Sequence, residues 1–356
     1  MKIAAITSGK NTPSTRFRIR QHIKLFSQKG IEVNEYYPWL DKNAGLPSII
    51  TDSIPRNIYP FMEFSWQQLK KQARISGVIK SWSHDLTWLG RELLPGRYTL
   101  ERFLHKPIVF DVDDAIWQAK PHGVKTISRI AKESTFITAG NTYIAEWMKQ
   151  YNQNIEIIPT AIDIVKYKAK EWTNTDREKY PFIIGWTGSA GNYVYLYNIE
   201  KELNNFLSQY NSKLLIIAES PPCFKHIASD KIKFVEWSEK TEASALLKMD
   251  VGLMPLPDTA WTRGKCAFKM LQYMACCVPV IVSPVGMNKE VLNMGPVGFG
   301  AEANEEFLMH LIHLYENPEV AFEMGNNGRK IIEQYFSTIV INEKLSMIFN
   351  KIKNIN

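Results

Sequence analysis

The stretch RGKCAFKMLQYMACCVPVIVSPVG, residues 263–286, joins a cationic helix start to a short apolar strand, and its reading decides the fold. A helix beginning just beyond Gly264 places Lys265, Lys269 and Gln272 on one stripe, at spacings of four and seven. Ala267, Met270, Leu271 and Met274 then take the opposite stripe with the spacing of a buried face. Residues 278–282, β-branched and carrying Pro279, suit a strand buried on both sides. Two ammonium groups just inside a helix N-terminus, where backbone N–H groups lack partners and the macrodipole is positive, make a seat for an anion. Gly264 lets a ligand approach the backbone closely. A di- or triphosphate fits this geometry, and a solvated helix face is the alternative.

Outward from this stretch, strand-like and helix-like runs alternate along nearly the whole chain. Strands are expected at 3–6, 31–36, 85–89, 108–112, 135–138 and 155–158, then at 182–186, 214–218, 232–235, 251–254 and 280–282. Helices are expected near 304–316, 319–335 and 338–354, the first opening at Asn304 with Glu305 and Glu306 behind it. The alternation argues for βα units, parallel sheets and an α/β fold. Residues 160–180 are polar and without a strong period, which reads as a hinge.

The 356 residues, 45% of them apolar, are enough for a large core divided between two domains. No run approaches the roughly 18 apolar residues of a membrane span, and the N-terminus reads as a first strand and not a signal peptide. Cys223, Cys266, Cys276 and Cys277 lack metal-site spacing, so reduced thiols in a cytoplasmic protein are expected. The net charge of +7 is uneven: residues 1–160 hold 22 Lys and Arg against 14 Asp and Glu, and the remainder is close to neutral. A basic first half suits peripheral contact with an anionic membrane, an anionic acceptor, or simply a soluble surface. No nucleic-acid-binding motif accompanies the charge, so no nucleic acid partner is expected.

Residues 271–283, LQYMACCVPVIVS, resemble the "EAMAxGxPVI" strand entry of family 4 glycosyltransferases, which follows a helix carrying two glutamates eight residues apart. In that frame Gln272 stands at the second glutamate, Gly264 at the first, and Cys277 at the usual helix-ending glycine. Lys269 matches the lysine of a side branch of the form "KLxEYMAxGxPVV". Residues 136–163, FITAGNTYIAEWMKQYNQNIEIIPTAID, are similar to the passage that closes the family's first domain. The resemblance implies the GT-B fold, two Rossmann-like domains with parallel sheets facing across a cleft. It implies an acceptor domain at 1–160, a hinge at 161–180, a nucleotide-sugar donor domain at 181–336 and a last helix at 337–356 that crosses back.

Ligands of doubly wound domains sit beyond the carboxyl ends of the strands, and four such loops carry candidates. After the first strand, Gly9 permits close approach, and Arg16, Arg18 and Arg20 crowd a helix start, where positive charge opposes the dipole. A plain basic surface is the other reading of that loop. After residues 108–112 come Asp113 and Asp114, with Asp111 before them. The resemblance places a catalytic histidine near Asp113, so Asp113 and Asp114 are expected to orient the sugar or the acceptor hydroxyl, unless Asp114 caps a helix. The triple acid also has the look of a divalent-cation motif, but no metal is expected in the implied fold. Gly185, Gly188, Ser189 and Gly191 form a glycine loop that opens the second domain. It lacks the arginine and lysine usual in the family, which shifts the cationic role to Arg263, Lys265 and Lys269. Trp237 closes the set, either stacking on a nucleobase or lying in the core.

The expected activity is transfer of a sugar from a nucleoside diphosphate sugar to a glycan or lipid-linked acceptor with retention, in surface polysaccharide or glycolipid assembly. Lys265 and Lys269 would stabilise the leaving diphosphate and Gln272 would hold the ribose. No cofactor beyond the donor substrate is called for. A nucleotide-sugar epimerase of the same architecture and an inactive nucleotide-sugar-binding scaffold are the alternatives.

Overall fold

A computed structural model describes residues 1–10, 12–51, 55, 57–172 and 179–354, without the side chains of residues 49 and 50. The chain divides into two compact units, Met1–Thr160 with Ile341–Asn356, and Ala161–Val340.

Each unit is built on a six-stranded sheet with every pairing parallel. The first comprises β1 (Lys2–Ile6), β2 (Glu32–Tyr36), β3 (Leu86–Gly90), β4 (Ile108–Val112), β5 (Phe136–Ala139) and β6 (Ile155–Ile157), in the order β2-β1-β3-β4-β5-β6. The second comprises β7 (Phe182–Thr187), β8 (Ser212–Ala218), β9 (Ile232–Glu236), β10 (Val251–Met254), β11 (Val280–Val282) and β12 (Gly298–Gly300), in the order β12-β11-β10-β7-β8-β9. That second order is the doubly wound Rossmann order, whose direction reverses between its first and fourth strands, here β7 and β10. In the first unit the reversal falls between β1 and β3. Central strands such as β4 and β10 are buried along their whole length, as parallel strands covered by helices on both faces must be.

Two glycines in the second sheet serve packing. A Cβ at Gly185 would lie 2.0 Å from Met249 Sδ, and one at Gly252 would lie 2.3 Å from the Tyr273 ring. Gly185 therefore lies inside β7 as a place for Met249. It does not belong to the ligand loop, as the sequence reading has it.

The expected hinge at 161–180 falls partly outside the described residues, at 173–178. Its described first part is packed into the second unit. Ile162 bridges to Ser337, Tyr167 is fully buried, and Lys170 pairs with Asp250 at 2.7 Å. Apolar Ile162 and Tyr167 inside a polar stretch hold it there. The helix Thr338–Lys353 ends in the first unit, where Phe349 lies 5.5 Å from the Phe26 ring and 5.1 Å from the Trp88 ring.

Candidate functional site

The helix of the opening segment starts later than its periodicity predicts. It runs Phe268–Ala275, and Ala267 before it takes a left-handed conformation, φ +50°. Lys265 and Cys266 thus belong to the preceding loop, and Gly264 ends the short helix Ala260–Arg263. The later start rotates the faces. Met270 through Ala275 are all buried, Gln272 among them, so the helix has no polar stripe. Gln272 turns inward, its Nε2 donating to Tyr167 Oη at 2.8 Å and to Glu242 Oε1 at 3.1 Å. The buried Glu242 carboxylate also accepts from the Tyr167 hydroxyl and from Trp237 Nε1, at 2.7 and 3.0 Å. The amide expected to hold a ribose is committed to this internal network instead, because a buried carboxylate needs every available donor.

Lys269 is what the later start leaves exposed to the strand ends. Its Nζ lies 4.6 Å from the centroid of the Trp186 ring, at the end of β7. A Cβ at Gly188, in the loop after that strand, would come within 2.6 Å of Lys269 Cε and 2.8 Å of Trp186 Cη2. The glycine therefore provides the space in which the lysine reaches the loop. Nearby, Tyr273 Oη accepts from the Thr187 N–H and reaches the Leu253 carbonyl, so it ties the end of β7 to β10 at the reversal of strand order. Burial, with the Lys265 ammonium as a second cause, lowers the Lys269 pKa to about 7. A cation kept beside a second cation, half out of water, is a group that an anion would relieve.

Around this point, Ser189 is exposed and accepts from Asn192 Nδ2, and the Ala190 N–H donates to Glu219. Lys265 Nζ lies 5.5 Å from the Trp261 ring. Arg263 makes a bidentate pair with Asp258, at 2.6 and 2.8 Å. Asp258 lines an open pocket of about 600 Å³ at the ends of β10, β11 and β12, together with Ser283, Lys289 and Glu302. Trp237 follows β9 with its ring partly exposed and its N–H fixed by Glu242. A left-handed Cys277, φ +57°, ends the segment's helix.

In the first unit the reversal point holds a different arrangement. Arg91, directly after β3, has φ +64°, a conformation unfavourable for a side chain of its size. It reaches both Asp113 and Asp114, bonding one with Nε and the other with Nη2. Burial pushes the Asp113 carboxyl up, yet Arg91, with Arg18 and Lys42, outweighs it and holds the pKa below its ordinary value. Asp113 is therefore an ionised acceptor and not a general acid. The Asp114 side chain caps no helix here: the short turn Ile116–Gln118 begins at Ala115 without a side-chain cap.

Arg18 and Gly9 depart from their expected roles. Arg18 is buried and bidentate to Asp111, at 2.6 and 3.0 Å, with the Ile158 carbonyl as a further acceptor at 2.6 Å. It holds β4 to the end of the first unit and lines a small hollow with Gly90, Arg91 and Asp113. Arg16 lies over the Phe17 ring at 4.2 Å, and Arg20 is bidentate to Glu35. The helix starts at Pro13, so Arg16 and Arg18 fall in its last turn, where positive charge suits the dipole. The Asp41 carboxylate covers Gly9: a Cβ there would meet Asp41 Oδ2 at 2.5 Å. Each acid of the triple is thus engaged by an arginine, Asp111 by Arg18 and both Asp113 and Asp114 by Arg91. Among the described residues no cluster of His, Cys, Asp or Glu could hold a metal ion.

Arg91, Trp186, Tyr167 and Glu242 are the residues the sequence reading missed. Arg91 was findable, because it lies two residues past the strand expected at 85–89 and the strand-end rule applies to it as to the four other loops. Glu242 and Tyr167 carry no such signal, since only tertiary packing brings them to Gln272.

The two sheets and their orders are those of GT-B proteins, and the comparisons agree. Residues 182–317 match the family described as glycosyl transferases group 1. The match lies within the second unit and takes in Gly188, Trp237, Lys269 and the whole 263–286 segment. Among solved structures, the chain is similar to sucrose-phosphate synthase from Thermosynechococcus elongatus, at TM-score 0.73 and 13% identity with 100% of each chain covered. It is also similar to HepE of Anabaena in complex with UDP and glucose, at TM-score 0.66 and 13% identity, covering 99% of this chain and 100% of that one. The lipopolysaccharide outer core galactosyltransferase WaaB gives TM-score 0.59 and 14% identity, with 99% and 100% covered. At such identities the likeness is one of fold, and the fold is GT-B. None of the curated proteins matches the chain. No helix among the described residues is long and apolar enough to cross a membrane.

Proposed function

We propose that this protein moves a hexose from a nucleoside diphosphate sugar to a glycan or lipid-linked acceptor with retention, as a family 4 enzyme of surface polysaccharide or glycolipid assembly. One observation carries the reading: the Lys269 amine lies against the Gly188 loop at the reversal point of a Rossmann sheet, where dinucleotides and nucleotides bind in such sheets. The likeness to HepE, solved with UDP and glucose, makes UDP the first nucleotide to test.

In this reading Lys269 and Lys265 receive the diphosphate beside the Gly188 loop. As the glycosyl centre becomes oxocarbenium-like, negative charge builds on the leaving oxygen, and fixed cations there lower the barrier. Trp237, its indole N–H locked by Glu242, offers a rigid face to the base. Asp113, kept ionised by Arg91, and Asp114 beside it accept from an acceptor hydroxyl. A calorimetric screen of nucleoside diphosphates tests the donor, and NMR of the product anomer tests retention. Binding of no nucleotide in a broad panel would defeat the proposal, and isomerised sugar from donor alone would assign an epimerase.

The low Lys269 pKa predicts a pH dependence. An anion favours the ammonium and raises the pKa in the complex, so binding takes up a proton once pH exceeds about 7. UDP affinity should therefore fall as pH rises through 7, by up to about tenfold per unit. Lys269→Met, compared over the same range, removes the nucleotide's own titration from the result. Parallel slopes for the two proteins would show that Lys269 does not take the proton.

Gly188→Ala should displace the amine. The lysine tip can yield, but the Trp186 ring at 2.8 Å is set in the core and cannot. UDP affinity is expected to drop about tenfold, on the order of one lost charged contact, and the melting temperature should fall with it, because the added Cβ presses on a core ring from a backbone conformation that disfavours side chains.

A further inference from the structure

The first unit carries an apolar face that the proposed chemistry does not use. The helices Tyr59–Gln72 and Ile75–Ser81 follow one another through Ala73 and Arg74, both with right-handed helical angles. Side-chain rows therefore continue across the join, and Phe61, Phe64, Ile75, Ile79 and Trp82 fall within about 60° of one another at 100° per residue. All five are exposed, Phe61 by 68%, Ile79 by 66% and Trp82 by 65%. The patch extends on both sides. Trp39, 72% exposed, shares a groove with Ser76 and Lys80, and Trp82 donates its indole N–H to the Phe103 carbonyl at 2.8 Å. Arg102 lies over the exposed Phe103 ring. So many exposed aromatic and branched side chains in one place mark a surface that meets something apolar.

The charges around it select the partner. Residues 59–82 contain Lys70, Lys71, Arg74 and Lys80 but a single acid, Glu63, which accepts from Gln67. Lys70 and Arg74 are buried and donate to the backbone carbonyls of Lys42 and Leu93. Lys71, Lys80 and Arg102 remain at the rim of the patch. A second copy of this face would set these cations against their own images. An aromatic and aliphatic surface rimmed by cations is complementary to an anionic bilayer, where rings sit at the headgroup level and lysines reach phosphate.

We propose that this face docks on an anionic lipid surface, with Phe61, Phe64, Ile79, Trp82 and Trp39 entering the interface and Lys71, Lys80 and Arg102 meeting the headgroup phosphates. The whole protein should co-sediment with phosphatidylcholine vesicles containing phosphatidylglycerol at least tenfold better than with phosphatidylcholine alone. Phe61→Ser with Ile79→Ser should lower that binding at least tenfold and leave the melting temperature unchanged, both positions being exposed. Lys71→Glu with Lys80→Glu should remove the preference for the anionic lipid. No binding to either vesicle, or equal binding by wild type and the Phe61→Ser, Ile79→Ser variant, would overturn the proposal. A dimer in light scattering that the same variant disperses, without vesicle binding, would assign the face to a second copy. UDP binding, measured on the same samples, reports separately on the proposed transferase site.

Discussion

Lys269→Ala is expected to lower sugar transfer by about 10²- to 10³-fold, the range seen when one fixed donor to a developing negative charge is removed. The residue has the geometry for so large an effect: its amine lies against the Gly188 loop with the Trp186 ring beside it. Nucleotide affinity should fall less than the rate, because the diphosphate carries more charge as it leaves than when it is bound as an ester. A lower kcat with a modest rise in KM is therefore the signature. Stability should not fall, since the variant removes a cation whose charge is already disfavoured by burial and by Lys265. If Lys269→Ala kept kcat within threefold of wild type, the amine would not face the reacting phosphate. If it stopped transfer but left UDP binding intact, the idea of an inactive binding scaffold would fail with it.

The parts of this fold that the sequence made legible are those with a repeating physical signal. Buried parallel strands are continuous apolar runs, and β4, β7, β10 and β11 lie where such runs occur, within a residue or so at each end. The one added strand, β12 at Gly298–Gly300, escaped notice because two of its three residues are glycine and none forms an apolar run. Helix starts were less legible. The periodicity of residues 263–275 continues smoothly through Ala267, and nothing in an alanine announces a left-handed backbone. That single residue moved Lys265 off the helix and turned Gln272 inward. Arg18 was illegible for another reason: charge in a loop looks the same whether it awaits a ligand or already has a carboxylate partner 93 residues away, as Arg18 does in Asp111.

Arg18→Ala is expected to destabilise the first unit by about 3–5 kcal/mol, the cost of leaving a buried charge without its partner. Both side chains of the pair are nearly inaccessible, at 4% and 3% exposure, so water cannot replace the guanidinium. Asp111 would keep one donor, Thr138 Oγ1 at 2.6 Å, and the Ile158 carbonyl would lose its bond to Arg18. For a unit of this size the loss corresponds to a drop of roughly 6–20 °C in melting temperature. Arg18→Ala with Asp111→Ala should recover part of it, because the double variant leaves no lone charge behind. The experiment decides between the two roles the residue could have had. A ligand-binding arginine would lose affinity with its stability intact, whereas a structural one loses stability and keeps UDP binding in the second unit unchanged. A shift of less than about 1 kcal/mol, the range of an ordinary exposed ion pair, would mean that Arg18 is reachable by solvent and available to a ligand after all.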